Sequence, residues 1–172
     1  MSAPEPLTLV LVGPMGAGKT SVGRQVAKRL GVGFIDTDKQ IAAEHGPIPE
    51  LFESRGEAHF RELEKEAVAK ALGDGGVISV GGGAVTSAAT RELLRRHRVV
   101  FLAVSSEAVA ERIRSGGRPL LAGDDDPLER WNQIYAQRRG WYEEIADVTF
   151  DTSRRPMHRI ADEIAAWRRE QA

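Results

Sequence analysis

There is no cysteine in this chain of 172 residues. Disulfides, thiolate metal centres and a thiol nucleophile are therefore excluded, while nothing follows about compartment. Histidine is scarce. Residues 45, 59, 97 and 158 stand far apart, without the spacing of metal ligands, and solvated or packed imidazoles are the plainer reading. No apolar run approaches a membrane span. The N-terminus has neither the charged nor the apolar region of a signal peptide. Neither sign of charge is in excess: 24 Lys and Arg against 25 Asp and Glu leave a net charge of −1. No bulk attraction to nucleic acid or to a membrane surface is expected from that balance. There is no internal repeat, low-complexity tract or interdomain linker. The length suits one domain, residues 1–172, and 41% hydrophobic content suffices for a core. A soluble cytoplasmic protein, monomeric because its apolar stripes are used within one fold, is the default expectation.

Lysine is rare beside arginine, which makes Lys19 conspicuous. Residues Gly13-Pro14-Met15-Gly16-Ala17-Gly18-Lys19-Thr20 fit G-x-x-x-x-G-K-[ST], the pattern of a phosphate-binding loop. Leu7 to Val12 before it read as a strand apolar on both faces, as inside a parallel sheet. Val22, Val26 and Leu30 after it recur at helical spacing. The glycines thus fall in a strand-to-helix turn. Without Cβ atoms, successive backbone N–H groups can converge on phosphate oxygens, and the helix N-terminus adds a partial positive charge. Lys19 would reach the β- and γ-phosphates, and the Thr20 hydroxyl would ligate Mg²⁺.

Further along, Gly33 to Asp36 reads as a second strand, ending in Asp36-Thr37-Asp38. Two carboxylates at the carboxyl end of a strand, beside a phosphate loop, suggest metal and substrate handling. The alternative is that Asp38 caps a helix beginning near Lys39. Pro49 opens a short helix through Phe52, and a longer one from Glu57 carries Phe60, Leu63, Ala67 and Ala71 on its core stripe. Arg61 and Glu64 fall one turn apart. On spacing alone an ordinary surface pair is favoured, against an Arg held to meet a substrate carboxylate. Gly76 to Val80 reads as a strand running into Gly81-Gly82-Gly83, where close ligand approach is the usual reason for such a run. Ala88 to Arg96 is a helix, Val99 to Val104 a strand, and Ser106 to about Arg114 a helix. Residues 115–125 read as a basic, glycine-flanked segment able to close over a nucleotide. Asp126, Pro127 and Glu129 make a helix start. Val148 to Asp151 is a fifth strand. Met157, Ile160, Ile164 and Trp167 dock the final helix. Five strands alternating with helices predict an α/β domain with a parallel sheet.

Taken in order, these motifs resemble those of shikimate kinase, within the nucleoside-monophosphate-kinase-like branch of phosphate-loop proteins. They are Gly13 to Thr20, Asp36-Thr37-Asp38, Gly56-Glu57 with Phe60, Arg61 and Glu64, Gly81-Gly82-Gly83, Arg118-Pro119-Leu120-Leu121, and Arg138 with Tyr142. The resemblance runs from about Leu7 to Trp167. It implies a three-layer α/β sandwich, helices on both faces of a sheet of order 2-3-1-4-5. It implies transfer of the ATP γ-phosphoryl group to the 3-hydroxyl of shikimate. The catalytic set would be Lys19, Asp38 and Arg118. Gly16, Ala17, Gly18, Lys19, Thr20 and Ser21 would hold the phosphates, with Arg118 near the transferring group and Arg112 and Arg155-Pro156 flanking adenine. Asp38 would contact the shikimate hydroxyls, Arg61 and Arg138 its carboxylate, and Gly82 and Gly83 would offer N–H groups. Glu64 would orient Arg61, and Phe52 and Phe60 would line the pocket. Thr20 and Asp36 would hold Mg²⁺. The shikimate region would lie within about 36–64 and the lid within about 115–125.

Three departures stand out. The chain is one residue shorter than the usual pattern between Gly46 and Phe52. The usual R-x-P-L-Y reads Arg138-Arg139-Gly140-Trp141-Tyr142, which makes Arg139 a second candidate for the carboxylate. The stretch from Arg114 to Arg118 is short, which makes Arg114 a rival of Arg112. A kinase for another hydroxy acid such as gluconate keeps the phosphate loop without the two-Arg, Asp38 and triple-Gly constellation. A nucleotide-binding switch is a third reading, although no Asn-Lys-x-Asp stretch for guanine is present.

Overall fold

The computed structural model describes residues 6–116 and 126–171. Five strands form one parallel sheet in the order β2-β3-β1-β4-β5. They are β1 (Thr8–Val12), β2 (Phe34–Asp36), β3 (Gly76–Ser79), β4 (Arg98–Ala103) and β5 (Val148–Asp151). Helices α1 (Lys19–Leu30), α2 (Thr37–His45), α3 (Ile48–Arg55), α4 (Glu57–Asp74), α5 (Ala88–Arg95), α6 (Ser106–Gly116), α7 (Pro127–Ile145) and α8 (Met157–Glu170) connect the strands and cover both faces. This is the expected α/β sandwich and strand order.

Strand β1 lies at the centre, paired with β3 through Leu9–Val77 and with β4 through Leu9–Arg98. Its whole length is buried because both of its faces are covered. Leu9 and Leu11 pack with Val22, Val26, Ile160 and Ile164 of α1 and α8. Val10 and Val12, pointing the other way, pack with Val68, Leu94 and Tyr142 of α4, α5 and α7. A third, small cluster of Ile41, Leu51 and Phe60 lies beneath α2, α3 and α4 and carries the acceptor side of the site.

Local signals set the helix ends. Gly31 closes α1 at φ 68°, giving its N–H to the carbonyls of Ala27 and Lys28. Asp126 caps α7 by accepting from Glu129 N at 3.0 Å, as its sequence suggests. At α2 the alternative reading, Asp38 as the cap, fails. Asp36 accepts from Lys39 N at 3.2 Å, and Asp38 lies inside the first turn. Strand β2 ends on Asp36, so the helix starts directly from it and Asp38 is left free to face the site. Among the described residues no helix is long and apolar enough to cross a membrane.

Candidate active site

The phosphate loop leaves the carboxyl end of β1 in a backbone path that side chains would obstruct. Gly13 sits at φ 152°, where a Cβ would meet Leu102 O at 2.5 Å. Gly18 begins α1 at φ 94° with no side-chain cap among the described residues, which leaves the helix N-terminus to an anion. The loop's carbonyls are held one after another by side chains. Lys19 Nζ donates to Gly13 O at 2.6 Å and Pro14 O at 3.0 Å. Trp131 Nε1 donates to Met15 O at 2.8 Å. Arg112 Nη1 donates to Gly16 O at 2.5 Å, and Thr152 Oγ1 to Ala17 O at 2.7 Å. With its carbonyls bonded, the turn keeps its amide N–H groups for a phosphate group. Burial lowers the Lys19 ammonium from the usual 10.5 to about 8. Asp38 and Asp36 pull it back up, and Arg138 pushes it further down.

Thr20 at the start of α1 and Asp36 at the end of β2 meet. Thr20 Oγ1 donates to Asp36 Oδ2 at 3.1 Å. A hydroxyl and a carboxylate on adjoining elements suit the hard-oxygen chemistry of Mg²⁺. Among the described residues no group of three or more acidic or histidine side chains could hold a metal. An ion here would therefore share its ligands with nucleotide phosphates and water, as Mg²⁺ commonly does.

Beside the loop opens a cavity of about 300 Å³, lined by Asp38, Phe52, Phe60, Arg61, Glu64, Gly81 to Gly83, Arg138 and Tyr142, with Pro14 and Met15 of the loop at its rim. Arg61 and Glu64 are no surface pair, which corrects the reading from spacing. Their side chains are 18% and 3% exposed, and Arg61 Nη1 donates to Glu64 Oε1 at 2.8 Å. The Arg61 guanidinium also lies over Phe60, 5.3 Å from its ring centroid, and over Phe52 at 5.9 Å. Burial raises the Glu64 carboxyl from 4.5 to about 7, while Arg61 opposes the rise. Asp38 is also raised, first by burial and then by Asp36, with Lys19 and Arg61 acting against the shift. Burial lifts the Tyr142 phenol to about 12, and it donates to Gly82 O. Asp38 Oδ1, Arg61 Nε and Arg138 Nε are buried without a hydrogen-bond partner among the described residues. Buried polar atoms of this kind call for a polar ligand.

The triple glycine has a cause that spacing did not disclose. None of the three adopts a left-handed backbone. A Cβ on Gly81 would sit 2.5 Å from Asp38 Oδ1, one on Gly83 would sit 2.6 Å from Arg61 Nη1, and one on Gly82 would approach Arg138 Nη1 at 3.6 Å. The run therefore makes room for the chain's own charged groups as well as for a ligand.

The structure separates the rivals. Arg138 lines the cavity, whereas Arg139 turns out to Glu143 at 2.8 Å and is 62% exposed. Phe52 lines the cavity with Phe60, ring centroids 4.8 Å apart, despite the shorter connection before it. Arg112 reaches the loop and the Thr152 carbonyl, and Arg114 is exposed. Arg155, half-exposed, pairs with Glu163 of α8. Ser21, in the first turn of α1, is exposed. Arg118 and most of the 115–125 segment lie outside the described residues. Sequence reading missed Trp131 and Thr152 as supports of the loop. The only signal was a row of aromatics, Trp131, Tyr135 and Tyr142, on α7.

The sequence model of the family described as shikimate kinase matches residues 15–168. A shikimate kinase of Streptomyces coelicolor is 46% identical over 158 residues, 90% of this chain and 90% of that protein. One from Mycobacterium avium is 46% identical over 151 residues, 85% of this chain and 84% of that protein. The solved structure of shikimate kinase from Acinetobacter baumannii in complex with shikimate superposes with a TM-score of 0.87 at 35% identity. It covers 96% of this chain and 94% of that one.

Proposed function

The chain belongs to the shikimate kinase family, and on that premise we propose that this pocket transfers the γ-phosphoryl group of ATP to the 3-hydroxyl of shikimate, giving shikimate 3-phosphate and ADP. One observation carries the reading. Two arginines and one carboxylate, Arg61, Arg138 and Asp38, converge with unpartnered polar atoms in a cavity whose rim is the phosphate loop. A cyclic hydroxy acid offers a carboxylate for the guanidinium forks and hydroxyls for Asp38.

Phosphoryl transfer asks for positioning and charge neutralisation more than for covalent chemistry. The loop amides and Lys19 hold the phosphates. Arg61, kept rigid by Glu64 and by the Phe52 and Phe60 rings, and Arg138 fix the acceptor carboxylate. Asp38 then orients the hydroxyl and accepts its proton as the new P–O bond forms and the bond to the ADP oxygen breaks. In a loose transition state the attacking oxygen bonds late, so orientation is the larger part of that role. Thr20 and Asp36 would hold Mg²⁺, which when bound neutralises phosphate charge. Arg118 would supply a further cation near the transferring group, and Arg112 and Arg155-Pro156 would flank adenine. The 172 residues are read as one domain, monomeric and cytoplasmic, with no nucleic-acid or membrane partner. The net charge of −1 supports the last point.

The test is ADP production from ATP with shikimate, with gluconate and with neither. Shikimate-dependent turnover that Lys19→Ala abolishes is the expected result. Turnover on gluconate alone would move the protein to another acceptor, and none on either would reduce it to nucleotide binding.

A further inference from the structure

Helix α7 touches the active site at both ends of its inner face. Near its start Trp131 donates to Met15 O at 2.8 Å, and near its end Tyr142 donates to Gly82 O. Arg138 projects into the acceptor cavity between them. Tyr135 stacks on Trp131 with centroids 5.0 Å apart and lies 6.5 Å from Tyr142, which stacks on Phe101 of β4 at 5.2 Å. One row of rings thus ties the tip of the phosphate loop to the glycine run and to the sheet. Trp131 is 4% exposed and Met15 51%, so a buried ring holds an exposed residue of the loop. The other side chains that hold loop carbonyls, Lys19, Arg112 and Thr152, stand on α1, on α6 and just past β5. Among the described residues, Trp131 shares its helix with Arg138 and itself lines the acceptor cavity, which the other three do not.

We propose, resting on the kinase reading above, that Trp131 is a positioning residue coupling the nucleotide subsite to the acceptor subsite. Its indole N–H holds the Met15 carbonyl and keeps the loop tip in register with the helix that carries Arg138. A carbonyl released from this bond could swing toward the phosphates and repel them. Because α7 is one rigid piece, an acceptor on Arg138 and a nucleotide in the loop each steady the other's subsite. Such coupling is reciprocal.

Calorimetric titration of ADP and of shikimate, each alone and with the other present, tests this on the wild type and on Trp131→Phe. The variant keeps a ring and removes the donor. It should bind ADP about fivefold more weakly, the size of one net hydrogen bond. Shikimate affinity alone should fall less than ADP affinity, because Phe keeps an apolar ring on the cavity that Trp131 lines, and most of the mutual tightening of the wild type should vanish. Unchanged ADP affinity, or a wild type without mutual tightening, overturns the proposal. So does a parallel loss of both affinities together with a lower Tm, which would mark a packing role only. Should the variant fail to fold, the wild-type indole N–H decides by NMR. It should resist exchange in the free protein and shift with either ligand, and exchange as fast as that of an open indole overturns the bond. A wild type that binds ADP but not shikimate defeats the kinase reading, while the ADP comparison still tests Trp131 on its own.

Discussion

The two halves of the site are built on opposite principles. On the nucleotide side the backbone is finished before any ligand arrives. The carbonyls from Gly13 to Ala17 all accept side-chain hydrogen bonds, from Lys19, Trp131, Arg112 and Thr152. On the acceptor side the polar groups are buried and incomplete, with Asp38 Oδ1, Arg61 Nε and Arg138 Nε unpartnered among the described residues. Phosphate bears strong charge and can be met by fixed dipoles that need no rearrangement. A small hydroxy acid must be told from its relatives, and buried groups left unpaired without the right partner do that best. The difference separates preorganisation from selectivity. It implies that damage to the acceptor wall is read in specificity and turnover before it is read in folding.

The sharpest way to break the comparison is at the two carboxylates that lie where the halves meet. Asp38→Asn should lower kcat by about a thousandfold or more, leave Mg·ATP affinity intact and gain nothing from excess metal. Asp36→Asn should raise the Mg²⁺ requirement and be partly rescued by it. Measuring kcat and both affinities against Mg²⁺ decides, and rescue of Asp38→Asn instead would reverse the two roles. Next in size, Arg138→Ala should weaken shikimate binding by about 2–5 kcal/mol with ATP affinity nearly unchanged, because its Nε is buried without a partner among the described residues until an acceptor arrives. Arg139→Ala should be nearly silent in the same titrations.

A smaller effect is expected at the glycines. In Gly83→Ala the new methyl would meet the Arg61 guanidinium, the far end of a flexible side chain. The fold should survive with Tm nearly unchanged while KM for shikimate rises by about tenfold, the size of one displaced charged hydrogen bond. An equal fall in Tm and in affinity would count against it.

The last concerns pH. The Glu64 carboxyl is raised from 4.5 to about 7, mainly by burial. Its contribution to stability is therefore full below about 4.5 and is lost as pH rises through about 7. Glu64→Gln should flatten that part of the stability profile by about 2 kcal/mol across this window, measured by denaturant melts at several pH values. The same substitution should loosen Arg61 and raise KM for shikimate at neutral pH, where the wild-type pair is partly ionised.

What could be read along the chain and what could not divide by sequence separation. The phosphate loop is a local object. Eight residues between a buried strand and an amphipathic helix suffice to specify it, and the structure places Lys19 and Thr20 in the first turn of α1. The Asp126 cap and the alternation of Leu9, Val10, Leu11 and Val12 between two faces are local as well. Arg61 shows the limit. Its spacing from Glu64 describes a surface pair, and only the packing of α2, α3 and the glycine run over it turns that pair inward. Asp38 is similar. It could have capped α2, and the direct passage from β2 into the helix gave that task to Asp36.

The amino-acid sequence by itself determined the alternation of strands and helices, the phosphate loop and the place of its Thr20 hydroxyl, because each depends on neighbours within one or two turns of chain. Tertiary structure alone decided which arginine lines the cavity, why three glycines stand together, and what bonds the loop's carbonyls. The bonds concerned join Trp131 to Met15 and Thr152 to Ala17, more than a hundred residues apart. No periodicity or motif encodes a contact between elements so distant. It exists only once the sheet has ordered its strands and brought α7 and the end of β5 against the loop.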